Sequence, residues 1–296
     1  MAQEDKTAAD IWAAQSVWSQ AAGRMRKSVS RSQGFVLALV VGAAVCGALS
    51  AQFATGSPAA TRGFAGAAAV AAALIPLARR GSSPAATQAW TRMRAVSEAI
   101  KADIYLWLAG AAPFDGTAPD AVLRERFDRR LGAVGDLQRH TLGIVPAERA
   151  LPAVSGPESY FAIRVDRQIE EYFRPEALRA RRRLKRLRVG EMVVGVMGAL
   201  LAGASAFGLG GTAVWVGVVT TAAAALTAHL TATRLEFLYL EYSRTAGEAG
   251  RLRAQATAPG TDLLALVSRC EEVFAVQNDG WLAEWTADAM SQEVAP

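Results

Sequence analysis

The sequence predicts an all-α integral membrane protein: four transmembrane helices as two hairpins, continuing into long cytoplasmic helices. Three observations lead there. Of the 296 residues, 52% are apolar, mostly Ala, Val, Leu and Gly with few aromatics, a mix that suits closely packed helices better than a sheet core. Ser32–Thr61, Gly63–Ala78 and Met192–Thr233 carry no Asp, Glu, Lys or Arg. Lys and Arg gather at the outer ends of these stretches and almost vanish from the loops inside them.

A span needs ~20 apolar residues to cross ~30 Å of hydrocarbon. The first falls at about 34–54 and the second at about 62–78, where Arg62 must snorkel outward. The third stretch is long enough for two spans, about 190–208 and 212–232, broken at Gly208-Leu-Gly-Gly211. Two buried hairpins of a soluble protein would carry charges on a solvent face, and these do not. Phe53, Phe64, Phe207 and Trp215 fall at the loop ends of the hairpins, and Phe35, Phe237 and Tyr239 at the opposite ends, as interfacial aromatics do.

Orientation follows from the basic residues. Arg24, Arg26, Lys27 and Arg31 precede the first span, and Arg79, Arg80 and Arg92 follow the second. Arg179, Arg181, Arg182, Arg183, Lys185, Arg186 and Arg188 precede the third, and Arg234 and Arg244 follow the fourth. The positive-inside bias puts both termini and the central region in the cytoplasm of a bacterial plasma (inner) membrane. The layout is two modules in tandem: 1–140, a linker at 141–157 with Pro146, Pro152 and Pro157, and 158–290.

Trp90, Met93, Ser97, Ile100, Ile104 and Trp107 step at heptad spacing, as do Leu235, Leu238, Tyr242, Thr245, Ala249 and Leu252. Each outgoing span therefore continues as a helix, docked on its own chain or in a coiled coil with another. Thr117 before Asp120 and Ser155 before Glu158 read as helix starts, the latter as a capping box. Thr261 opens a last helix whose Leu263, Val267, Cys270, Phe274, Trp281 and Trp285 keep helical spacing. Pro175 is expected to kink or divide the helical run 158–188.

Several function classes drop out. Cys46, Cys270, His140 and His229 lie far apart, which gives no disulfide framework or metal-ligand spacing, and no cofactor is expected. No nucleophile elbow or phosphate loop points to an enzyme. The net charge of +5 and the basic run leave anionic lipid or nucleic acid as partners. The run lacks interleaved aromatics and abuts a span, so lipid fits and nucleic acid does not. Four spans with few polar groups make a poor transporter site.

On the helix 179–206, Ala180, Leu184 and Leu187 share a stripe that Glu191, Gly198 and Ala202 continue, with Gly195 beside it. Gly195, Ala199 and Gly203 also step by four, a spacing that lets helices approach closely. Glu191 either faces an aqueous mouth or forms an ion pair with Arg188 or Arg234. His229 either lines a pathway or is an interfacial hydrogen-bonding histidine.

After the first hairpin, "WTRMRAVSEAIKADIYLWL" resembles the signature of the SLATT proteins, two-transmembrane effectors associated with SMODS nucleotidyltransferases and SLOG sensors. Trp90, Arg94, Glu98 and Lys101 match it, and Ser97 replaces the usual Ala. The second half, from "YFAIRVDRQIEEYF" to "VSRCEEVFAVQNDGWLAEW", resembles another subfamily, with Glu271, Glu272, Trp281 and Trp285 as its closing acids and tryptophans. The resemblance implies an oligomeric pore-forming effector of a bacterial conflict system. Its implied partners are other copies of itself and a separate sensor protein or nucleotide second messenger. A non-conducting scaffold or sensor is the alternative.

Overall fold

A computed structural model describes residues 2–277, so Trp281 and Trp285 lie outside the described residues. It is all-helical, without a strand among the described residues. The helices are α1 (Ala2–Gln52), α2 (Pro58–Arg80), α3 (Pro84–Ala109), α4 (Pro119–Gly132), α5 (Pro157–Ala206), α6 (Thr212–Thr233), α7 (Leu235–Gln255) and α8, described over 263–277. Four of the helical runs are long and apolar enough to cross a membrane and match the four predicted spans, the first ending at Gln52 rather than 54 and the third at Ala206 rather than 208.

The chain forms two compact units, each drawing on both halves of the sequence. The membrane unit comprises Lys27–Ser83 and Arg179–Leu238; the head unit takes the rest. Of the four outer junctions, α1 and α5 run on without a break, while the outgoing spans are interrupted. Gly81–Ser83 separates α2 from α3, and Arg234 in the left-handed region (φ 46°) separates α6 from α7. The predicted continuation of each outgoing span therefore holds with a short break.

In the membrane unit, local chemistry sets the hairpin turns. The Ser57 hydroxyl accepts from the Ala60 amide at 3.3 Å and Pro58 opens α2, so the chain restarts a helix right after the Phe53–Ser57 turn. Phe53 stacks on Phe64 across that turn, with ring centroids 5.7 Å apart. The second turn needs glycine. Gly208 and Gly211 have φ of 75° and 82°, and a Cβ on Gly211 would lie 3.0 Å from the Gln52 amide nitrogen. That nitrogen donates to the Gly211 carbonyl at 2.8 Å, tying the end of α1 to the start of α6. At the opposite end, the Ser32 hydroxyl donates to the Ala78 carbonyl, and a Cβ on Gly81 would meet that hydroxyl at 2.6 Å.

The head unit has an aromatic-rich core that includes Ile11, Trp12, Trp18, Met93, Ile104 and Phe173, each of the order of 1.5–3 kcal/mol when fully buried. The first heptad seam, and the second from Tyr242 onward, are part of it; Leu235 and Leu238 belong to the membrane unit. Trp90, Met93, Ser97, Ile100 and Ile104 are buried, as are Leu235, Tyr242, Thr245, Ala249 and Leu252; Trp107 and Leu238 are half-buried. They pack within the chain.

Three start signals resolve differently from expectation. Ala118, not Thr117, precedes α4, and Asp120 instead accepts from the Trp107 indole at 2.9 Å. The Ser155 capping box does not form: Gly156 precedes Pro157, and the Ser159 hydroxyl accepts from the Ser155 amide at 2.9 Å. At α8, Asp262 rather than Thr261 caps, accepting from the Ala265 amide at 3.1 Å. Pro175 does not divide its helix. The turns just before it, Phe161–Asp166 and Gln168–Phe173, widen to π geometry. Wider turns relieve the missing N–H and the ring clash that proline imposes on an α-helix.

The 141–157 segment is extended but held along α1. The Trp12 indole donates to the Ala150 carbonyl at 3.0 Å, and the Ala147 amide donates to the Ser16 hydroxyl at 2.9 Å. The Arg149 guanidinium lies 3.6 Å from the Trp12 ring centroid.

Candidate functional site

In the membrane unit, the predicted stripe on α5 is half-buried from Leu184 through Leu187, Glu191 and Gly198, and beyond that it passes through Leu201 rather than Ala202, which is exposed. The half-buried face meets α6: a Cβ on Gly198 would lie 3.2 Å from Val219, and one on Gly190 3.4 Å from Leu226. The glycines thus serve a close approach within the hairpin. Gly195 is exposed, and a Cβ there meets nothing within 4 Å.

Glu191 accepts a hydrogen bond from the Thr227 hydroxyl at 2.8 Å. The expected pairing with Arg188 does not form, because Arg188 donates to Glu236 at 2.8 Å across the same groove of about 350 Å³. A one-turn reach along α5 lost to a direct reach across the hairpin, which positions alone could not decide. All seven residues of the basic flank, Arg179 to Arg188, are exposed, while Ala180 and Leu184 turn inward. His229 is half-buried on α6 and lines a second groove of about 350 Å³ with residues of α1 and the end of α2.

The motif residues converge in the head unit. Trp90 is buried on α3. Glu98 and Lys101, about two and three turns on, pair at 3.4 Å and are three-quarters buried. Glu271 on α8 is 3% exposed and receives three bonds: from Arg164 Nε at 2.8 Å, Arg164 Nη2 at 3.0 Å and the Tyr160 hydroxyl at 2.8 Å. Arg164 also sits over the rings of Tyr105 and Phe274, 4.6 and 5.0 Å from their centroids. Glu98, Arg164 and Glu271 line one cavity of about 170 Å³ with Arg130. The first-half acid and the second-half acid therefore meet in one network, while Glu272 points outward.

The charges support each other. Burial alone would raise the Glu98 carboxyl, but Lys101, Arg164 and Arg94 outweigh it and hold it below the usual carboxylate range. Burial lowers the Lys101 ammonium, opposed by Glu98 and Glu271. Burial would also lower the Arg164 guanidinium, but Glu271 overrides it and the net direction is up. Burial, then Glu271, pushes the Tyr160 hydroxyl well up, so it stays a donor. Cys270 beside it is pushed up to about 12, chiefly by burial, so it is no reactive thiol. Arg94 donates to the Tyr172 hydroxyl at 2.8 Å.

Ser97, the departure from the motif, is also used. Its hydroxyl accepts from the Gln15 side chain at 2.9 Å, and Gln15 in turn accepts from Arg149. Sequence reasoning missed Arg164 and Tyr160. Their signal was available: one turn apart, they put a charge and a hydroxyl on the same face as the apolar Phe161 and Val165. It also missed Asp103, which is 3% exposed and clamps Arg126 at 2.8 Å and Arg130 at 2.6 Å to α3. Among the described residues, no group of acids, histidines and cysteines could hold a metal.

Long apolar hairpins joined to a helical head with a buried charge network define a membrane-anchored helical protein. Residues 160–281 match the family model of the SMODS and SLOG-associating 2TM effector domain 1, and residues 16–121 match a family described as a protein of unknown function (DUF4231). The similarity to the SLATT effector domain thus covers the second hairpin and its flanking helices, and each of the two matched segments contains one hairpin. Comparison with curated proteins and with solved structures returned no match.

Proposed function

We propose that the chain is a pore- or channel-forming effector of a bacterial antiphage or conflict-signalling system. Several copies assemble in the inner membrane, with both termini cytoplasmic, and opening depolarises the cell and arrests growth. The observation that carries this reading is the 2TM effector domain matched over 160–281. The outward face of α5 supports assembly. Val189, Met192, Val193, Val196 and Leu200 are exposed beside Gly195 and Ala202, an apolar surface on which a second copy or lipid can pack. The basic flank holds the anionic surface at about 1 kcal/mol per residue. The trigger is a separate sensor protein or a nucleotide messenger acting on the head; nucleic acid is not a partner, and no catalysis is involved.

One observation favours a non-conducting scaffold instead. Glu191 and Gly198, the strongest mouth candidates, are engaged within their own hairpin. Ion flux from liposomes holding the assembled, activated protein separates the two. Release of a trapped ion or dye supports the pore, and a tight vesicle refutes it. Within a conducting sample, Glu191→Gln is expected to change conductance or cation preference. Unchanged current makes Glu191 only the acceptor for Thr227.

A further inference from the structure

The groove beside His229 has the polarity of a lipid. At one end stand Gln33 on α1, Arg79 at the end of α2, Ser82 in the break after it, and His229 on α6. Deeper into the spans its walls are Val36, Leu37 and Val40 on α1 and Ala224, Ala225 and Ala228 on α6; the polar wall residue there, Thr221, donates its hydroxyl to the Gly217 carbonyl at 2.9 Å. The groove exists because α6 presents alanines there, which leave room that larger side chains would fill. Its volume of about 350 Å³ lies within the range of small-molecule pockets, about 300–1,000 Å³.

The polar end is cationic and open. Among the described residues, no acid pairs with the Arg79 guanidinium and no protein group hydrogen-bonds the His229 imidazole. An unpaired arginine at a membrane edge attracts an anionic headgroup, and an imidazole one helical turn inside it can donate to a phosphate oxygen. A free anion would satisfy the polar end and leave the apolar walls bare; a zwitterionic lipid would bring a compensating ammonium against the cationic end.

We propose that the membrane unit holds one anionic phospholipid in this groove, with its phosphate at Arg79 and His229 and an acyl chain along the alanine face of α6. The site is distinct from the exposed basic flank before the third span and does not depend on conduction.

The test is native mass spectrometry of the full chain in detergent, titrated with phosphatidylglycerol, phosphatidylcholine or glycerol phosphate. One phosphatidylglycerol is expected to stay bound per chain. Arg79→Gln weakens it by about fivefold, from roughly 1 kcal/mol per basic residue near an anionic group. Ala228→Phe, which fills the groove, abolishes retention, and Arg80→Gln, the same charge change one residue away and outside the groove, leaves it intact. Equal retention of phosphatidylcholine overturns the proposal. So does displacement of phosphatidylglycerol by glycerol phosphate at matched concentration, or an equal loss in Arg80→Gln. Should Ala228→Phe fail to fold by circular dichroism, Arg79→Gln and His229→Leu decide: wild-type retention in both overturns the site.

Discussion

Replacing Glu271 with Leu removes one carboxylate and strands two groups. Arg164, 3% exposed, loses its bidentate partner, and the Tyr160 hydroxyl loses its acceptor. Breaking a buried pair by deleting one member costs about 3–5 kcal/mol, because the other charge stays buried. Two features soften this. Glu98 contributes to the Arg164 electrostatics from α3, and the rings of Tyr105 and Phe274 remain over the guanidinium. We therefore expect the lower end, about 3 kcal/mol, against a total stability of about 5–15 kcal/mol for a domain. At roughly 2–4 °C per kcal/mol for a unit of this size, Tm falls by about 6–12 °C. The assay is tryptophan fluorescence of the full chain in detergent during heating. Trp12, Trp18, Trp90 and Trp107 all lie in the head unit and report it. A Tm within about 2 °C of wild type would refute the reasoning, since a desolvated, unpaired guanidinium cannot be that cheap.

Four other outcomes follow from the same geometry. Asp103→Asn should cost about 1–3 kcal/mol and raise hydrogen exchange across α4, because its two arginines keep only one neutral acceptor; their partial exposure, 29% and 28%, limits the loss. Ser97→Ala should cost less than about 1 kcal/mol in the same melt, since the Gln15 amide retains the Ser97 carbonyl at 3.2 Å. Glu98 has a lowered folded value, so its contribution is complete above the ordinary carboxyl value of 4.5 and is lost as pH falls through the folded value; Glu98→Gln should flatten the acid limb of head-unit stability below about pH 4.5. Gly198→Leu should cost about 1–3 kcal/mol in a detergent-denaturation titration, because Val219 already stands 3.2 Å from where its Cβ would go, whereas Gly195→Leu should leave the monomer's midpoint unchanged.

Legibility in the sequence tracks how local the physics is. Span number, hairpin turns and the buried heptad faces follow from composition and periodicity, which are properties of short windows. Pro175 does not divide its helix because its accommodation uses π turns that no residue type announces. The caps at 118, 156 and 262 each shifted by one residue from the predicted Thr or Ser, since neighbouring Pro, Gly and Asp compete for the same few positions. In the site, the motif acids were visible one by one, but their meeting was not. Glu98 and Glu271 are separated by most of the chain, and Arg164, paired with Glu271 and also acting on Glu98, links the two acids. Glu191 finding Thr227 rather than Arg188 is the same kind of failure: two acceptable partners, decided by helix rotation.

The convergence of motif residues in a folded core changes how a loss of function must be read. Under the proposed function, a loss of growth arrest after Glu271→Leu would have two explanations, an unfolded head or an interrupted signal, and the single variant cannot separate them. The paired change Arg164→Met with Glu271→Leu can. It removes both charges while keeping apolar volume, and replacing a buried pair this way is commonly neutral or stabilising by about 1–4 kcal/mol. The double variant should therefore recover most of the Tm lost in Glu271→Leu, falling short of wild type only by the Tyr160 hydroxyl left without its acceptor. If the network only holds the head together, induced expression of the double variant arrests growth as wild type does. If its charges transmit the trigger, the head stays folded and arrest is lost. A double variant whose Tm falls by the sum of the two single losses would show that the charges were never the source of the coupling, and the buried pair would have to be treated as packing alone.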